Sequence, residues 1–161
     1  MGKGMRTYKP FAEWGWKRYS GKGRVDVAEF IESHKTDAFF VGTDSQNYTK
    51  KSSCVFTSVI IAYTMHKGGA AITHTDKVPF IESLRQRLLT EAMRSLEVAW
   101  FLDGKIPDDN FIGVHLDVNS SLDYKSGKYK NELVGLVACQ GFNALVKPDA
   151  WAASKVADLR C

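Results

Sequence analysis

Two aspartates stand where apolar runs give way to polar residues. Ala38-Phe-Phe-Val-Gly-Thr-Asp-Ser-Gln46 carries Asp44, and Phe111-Ile-Gly-Val-His-Leu-Asp-Val-Asn119 carries Asp117. A short apolar run bounded by turn residues reads as a buried strand, so each aspartate falls at the carboxyl end of a strand. Open α/β sheets bind ligands at that edge. If the two strands are parallel neighbours, the carboxylates lie side by side. Like charges so placed raise each other's pKa, and a divalent cation relieves the repulsion. Hard oxygen donors without a His or Cys cluster point to Mg²⁺ or Mn²⁺. The competing use of Asp44 is simply to begin the turn that leaves its strand.

Two further acids can join this pair. Ser83-Leu-Arg-Gln86 begins a long helix with a capping box, and Leu84, Leu88, Ala92, Leu96 and Ala99 mark its apolar face. Glu91, two turns after Leu84, leans toward the face that meets the sheet, with Glu97 as reserve and Glu82 at or outside the helix start. A helical Glu can equally be a solvated side chain. Asp149 follows Pro148 and precedes a last helix over 150–159, where an N-cap aspartate belongs. Capping and ligation are compatible if that helix begins at the sheet edge.

The intervening elements follow in order. Asp26–His34 reads as a short helix capped by Asp26, and the first strand then runs to Asp44. Cys54–Tyr63, rich in β-branched residues, is a second strand. A glycine turn at 66–69 leads to a third strand, Ala70–Thr75, so strands two and three form a hairpin. The long helix ends near Asp103-Gly104. Phe111–Val118 is the fourth strand, reached by a helical crossover that makes it parallel to an earlier one. A helix over 128–140 and a short strand, Phe142–Val146, precede the last helix.

Composition sets the frame. The 161 residues suit one domain with a full core. Hydrophobic residues at 44% and charged residues at 25% are those of an ordinary soluble domain, and no apolar run spans a bilayer. Met-Gly-Lys-Gly-Met-Arg at the start is followed by no apolar stretch, so no secretory signal is expected. Three scattered cysteines, Cys54, Cys139 and Cys161, argue against a disulfide framework or zinc site and fit a cytoplasmic location. Of 22 Lys and Arg residues, seven lie in positions 1–24 beside a single acid, Glu13, although the net charge of the whole is only +4. This basic N-terminal arm attracts a polyanion such as nucleic acid, or serves as a solvated tail. Its aromatics, Tyr8, Phe11, Trp14, Trp16 and Tyr19, either stack on bases or pack onto the domain as a cover.

The acidic set resembles the ribonuclease H-like superfamily, and more narrowly the YkuK-type family of bacterial and phage proteins. The resemblance is carried by Val41-Gly-Thr-Asp-Ser-Gln46, Leu84-Arg-Gln86 with Glu91, His115-Leu-Asp-Val-Asn119, Tyr124-Lys-Ser126 and Val146-Lys-Pro-Asp-Ala-Trp-Ala-Ala-Ser154. It implies an α/β domain over 25–161, with a five-stranded mixed sheet flanked by helices and the first three strands antiparallel. Residues 1–24 would be a separate arm. It also implies Asp44, Glu91, Asp117 and Asp149 as catalytic ligands of two ions.

The expected activity is metal-dependent hydrolysis of phosphodiester bonds in RNA, DNA or a hybrid by a two-metal mechanism. Lys125, Lys128, Lys130 and Lys147 can meet phosphates or form a solvated surface. Ser45, Gln46 and Asn119 can bind ribose or backbone, or cap strand ends. His115, on the strand face of Asp117, is a hydrogen-bonded core histidine or a proton shuttle. The alternative function is a nucleic-acid-binding module that keeps the acidic pocket without turnover. Phosphotransfer on a nucleotide ranks last, because the chain lacks glycine-rich phosphate loops and a second subdomain.

Overall fold

The computed structural model describes residues 9–19, 21, 23–64, 68–119 and 125–147, residues 119 and 126 by their backbone. The chain forms β1 (Trp16–Arg18), β2 (Arg24–Val25), α1 (Val27–Ser33), β3 (Ala38–Tyr48), β4 (Ser53–Thr64), β5 (Gly68–Pro79), α2 (Leu84–Leu102), β6 (Phe111–Asn119), α3 (Lys130–Cys139) and β7 (Ala144–Lys147). One mixed sheet runs in the order β2-β1-β5-β4-β3-β6-β7. The expected meander is present, since β3, β4 and β5 pair antiparallel in turn. After the α2 crossover, β6 lies parallel to β3, and β7 parallel to β6.

The sheet has seven strands, not five. The two additions are β1 and β2, drawn from the basic N-terminal stretch: β2 pairs with β1, and β1 with the free edge of β5. The aromatics of that stretch act as a cover. Trp14 and Trp16 are buried in the main core, and Phe11 packs against it. Strand alternation drives this, because Trp16 points into the core while Lys17 points away.

One face of the sheet carries the core. Phe39 and Val41 of β3, Ile60 and Ala62 of β4, Ile72 of β5, and Val114, Leu116 and Val118 of β6 pack with Leu88, Ala92, Leu96 and Ala99 of α2. The expected helical stripe is thus the buried one. Burial of each Val, Leu, Ile or Phe side chain among them contributes about 1.5–3 kcal/mol. Both helix starts match their caps: the Asp26 carboxylate accepts from Ala28 N, and Ser83 Oγ from Gln86 N. Just beyond α2, Gly104 takes φ +79°, a left-handed turn that ends the helix. The helix expected over 128–140 begins as a 3₁₀ turn, Lys125–Tyr129, and becomes α-helical at Lys130. The last predicted helix and Asp149 lie outside the described residues.

Gly113 sits where β6 must accept the approach to β7. Val114 N donates to Asn143 O at 2.8 Å, and a Cβ on Gly113 would come within 2.9 Å of that oxygen. Gly113→Ala is therefore expected to destabilise the fold by about 1–3 kcal/mol. Thermal melting checks this, and an unchanged midpoint would show that β7 shifts at no cost.

Candidate metal centre

The parallel ladder between β3 and β6 brings the two aspartates together. It runs from Phe39↔Phe111 to Gly42↔His115, and Asp44 and Asp117 each follow two residues later. By alternation they share one face and Thr43 and Ser45 take the other, toward α2, but the β3–β6 ladder ends at Gly42↔His115, so at the aspartates the strands are no longer paired and a side chain from α2 can reach between them. Hydroxyls lock that contact. Ser95 Oγ donates to Thr43 Oγ1 at 2.9 Å, and Thr43 Oγ1 lies 2.9 Å from Ser58 Oγ.

Helix α2 then brings in Glu91. One oxygen from each of Asp44, Glu91 and Asp117 lies within 4.8 Å of the others. Asp44 and Glu91 are buried, and Asp117 is half-buried. Ser45 Oγ donates to Glu91 Oε2 at 2.5 Å, while Arg87 Nη1 donates to Ser45 Oγ at 3.2 Å and to Ser45 O at 3.3 Å. Burial, and secondarily the charge of Asp117, push the Glu91 carboxyl well above its ordinary value, with Ser45 and Arg87 opposing. The donor set is hard oxygen and carries excess negative charge, so it fits a divalent cation.

The remaining sequence candidates are placed as follows. Glu97 lies beside Met93 in a groove on the outer side of α2, and Glu82 is exposed ahead of the helix. Lys147 reaches the site by pairing with Asp117, Nζ to Oδ1 at 2.5 Å. Asn119 is level with Lys147 across the β6–β7 ladder. Gln46 is exposed at the end of β3, and Lys125 and Lys128 are exposed on the 3₁₀ turn, with Lys128 Nζ 5.2 Å from the Tyr129 ring centre. Lys130, the first residue of α3, is half-buried. His115 is buried in ring contact with Phe40, and burial pushes its imidazole down to about 4. It is therefore neutral at pH 7.

Three positioning contacts were not expected from the sequence. Arg87 precedes Glu91 by one helical turn, a spacing that could have flagged it. Ser45, read from the sequence as a substrate contact or a strand-end cap, donates its hydroxyl to Glu91. Asn47 holds the entrance of α2: its Nδ2 donates to Ile81 O at 2.6 Å, and Ile81 N donates to Asn47 Oδ1 at 3.2 Å. Nothing local announces that pairing across 34 residues.

Comparison with known proteins agrees with this geometry. A family model described as ribonuclease H-like matches residues 24–160. The chain is 31% identical to the uncharacterised protein YkuK of Bacillus subtilis (strain 168), over 73% of this chain and 75% of that one. No solved structure matches. The mixed sheet, the acidic cluster and the extent of the family match lead to one conclusion: the chain belongs to the ribonuclease H-like family.

Proposed function

We propose that the protein is a metal-dependent nuclease that hydrolyses phosphodiester bonds of nucleic acid. The observation that carries this reading is the convergence of Asp44, Glu91 and Asp117 on one point from β3, α2 and β6. Asp44, Glu91 and Asp117 would hold Mg²⁺ or Mn²⁺, and Asp149 is the proposed fourth ligand. Bound divalent ions supply an activated water and stabilise the leaving oxygen. The chain's own part is positional. Ser45 and Arg87 orient Glu91, and the buried Thr43–Ser95 contact fixes α2 over β3. Lys125, Lys128 and Lys147 meet flanking phosphates, and Gln46 and Asn119 meet sugar or backbone. The partner is RNA, DNA or a hybrid, and the proposed location is the cytoplasm. No helix among the described residues is long and apolar enough to cross a membrane.

A second reading, a nucleic-acid-binding module without turnover, is favoured by one contact. Lys147 already neutralises Asp117, doing part of what a cation would do. The test is cleavage of labelled RNA, DNA and hybrid substrates in Mg²⁺ and in Mn²⁺, with Asp44→Asn and Asp117→Asn in parallel. The nuclease reading expects cleavage by wild type that both substitutions remove. Tight binding indifferent to metal, with no cleavage, would establish the binding module instead. Cleavage that persists in both variants would sink the site.

A further inference from the structure

The two N-terminal strands do more than widen the sheet. In front of them, Lys9, Glu13, Gly15, Lys17, Arg24 and Thr75 line a polar cavity of about 430 Å³. Lys17 and Arg24 are register partners on β1 and β2, so their side chains leave the sheet on the same side. That side is opposite the core, because the neighbouring pair, Trp16 and Val25, packs inward. The Arg24 guanidinium lies over Gly15, where a Cβ would touch Nη1 at 3.9 Å. Among the described residues Lys9, Lys17 and Arg24 form no ion pair, so three cations face this cavity against one acid.

The same register ties the cavity to the carboxylates. Asp44 pairs with Thr57, and Thr57 with Thr75. The Thr57 and Thr75 hydroxyls lie 3.3 Å apart, which puts both side chains on the face shared with Asp44, where Thr57 is fully buried and only Thr75 reaches solvent, so the distance from Asp44 to the cavity is a straight-line span. Thr75 is exposed and lines the cavity. At about 4.8 Å per strand, the cavity begins roughly 10 Å from Asp44 and reaches Lys17 at roughly 15 Å. At about 3.4 Å per stacked nucleotide, that is roughly three to four nucleotides.

We infer that this cavity is a phosphodiester-binding cradle, in which Lys17 and Arg24, assisted by Lys9 and the Thr75 hydroxyl, hold the backbone of a nucleic acid three to four nucleotides from the carboxylates. The inference rests on the nucleic-acid reading above and assigns a function to strands outside the acidic set. Two charges on paired edge strands suit adjacent phosphates, which carry no sequence information, so the cradle fixes position on the strand and not sequence.

The test is fluorescence anisotropy with labelled RNA, DNA and hybrid 12-mers in EDTA, for wild type, Lys17→Ala/Arg24→Ala and Lys17→Arg/Arg24→Lys, each across a salt series. Loss of two phosphate contacts should weaken single-strand binding roughly 25-fold at 0.1 M salt and reduce the log–log salt slope by about 1.4. The charge-conserving pair should restore both, and the arm with the largest loss names the nucleic acid. Unchanged affinity and slope in the alanine pair overturns the cradle, even if wild type cleaves in a parallel Mg²⁺ assay. Loss that the charge-conserving pair fails to restore also overturns it, since the role would then be structural. Wild type that binds no oligonucleotide overturns it as well. Cradle-dependent binding without cleavage upholds the cradle and counts against the nuclease.

Discussion

Replacing Glu91 by Gln is expected to remove the proposed metal-dependent cleavage, by about 10²–10³-fold or more, and at the same time to raise the melting temperature of the metal-free protein by about 3–6 °C. Both effects have one source. Glu91 is buried, faces Asp117, and has its carboxyl pushed well above the ordinary value of 4.5 by burial first and by that neighbour second. Charge at this position therefore destabilises the folded state. A carboxyl raised on folding costs nothing below about pH 4.5. Its cost grows as pH rises from there to the raised folded value, and is constant above it. Gln keeps the shape and can still accept from Ser45 Oγ, so the variant should gain stability at neutral pH and lose that advantage at pH 4. Added Mg²⁺ or Mn²⁺ should reverse the order, raising the wild-type midpoint more than that of the variant. Melting curves at pH 4 and 7.5, with and without the ion, check each step. A variant less stable than wild type at pH 7.5 without metal would show that Glu91 is held by favourable contacts and not strained by its neighbours.

Much of this site is local information. Asp44 and Asp117 could be singled out because apolar runs of four to five residues end beside them, although β3 does not end at Asp44 as expected: it pairs with β4 as far as Tyr48, and only its ladder with β6 stops short of the aspartates. Glu91 follows from helical phase, since it lies seven residues after Leu84 on a stripe that must face the sheet. What escaped is non-local. β1 spans three residues and β2 two, too short for alternation to register, and they exist because Trp16 finds the core and β1 finds the edge of β5. Strand β5 runs to Pro79, past the expected Thr75, because its polar residues pair with β4 and bury Asp76 against Arg94 of the next helix, 18 residues on. A carboxylate in a Thr-Asp-Lys stretch looks like a turn until its cation is known.

That carboxylate supports the largest expected effect on stability. Asp76 and His74 are both about 95% buried, His74 Nε2 lies 3.1 Å from Asp76 Oδ1, and Arg94 of α2 pairs with Asp76 Oδ2. His74 Nδ1 bonds Gly15 O at 2.9 Å, its ring stacks on Trp14 at 4.5 Å, and the Arg94 guanidinium sits 4.5 Å from that same indole. One network thus joins the N-terminal cover, β5 and α2. Asp76→Ala would leave a buried guanidinium without its carboxylate, at an expected cost of about 3–5 kcal/mol. A domain of this size has about 5–15 kcal/mol in all. Changing Arg94 to Met in the same chain should recover much of the loss, because the uncompensated charge and not the missing pair is what costs. Burial alone would raise the Asp76 carboxyl, but His74 and Arg94 outweigh it and hold it below its ordinary 3.8. Its contribution is therefore whole above about pH 3.8 and lost as pH falls through the lower folded value. Urea unfolding of the single and double variants, followed by tryptophan fluorescence, measures the coupling. A single variant within 1 kcal/mol of wild type would mean that water reaches Arg94 and that the network is incidental. The expected loss also bears on the proposed metal centre. Arg94 lies one turn beyond Glu91 on the same helix, so freeing that turn from β5 loosens the carboxylate's hold over β3. Asp76→Ala should then weaken Mg²⁺ binding, although Asp76 touches none of the three proposed ligands.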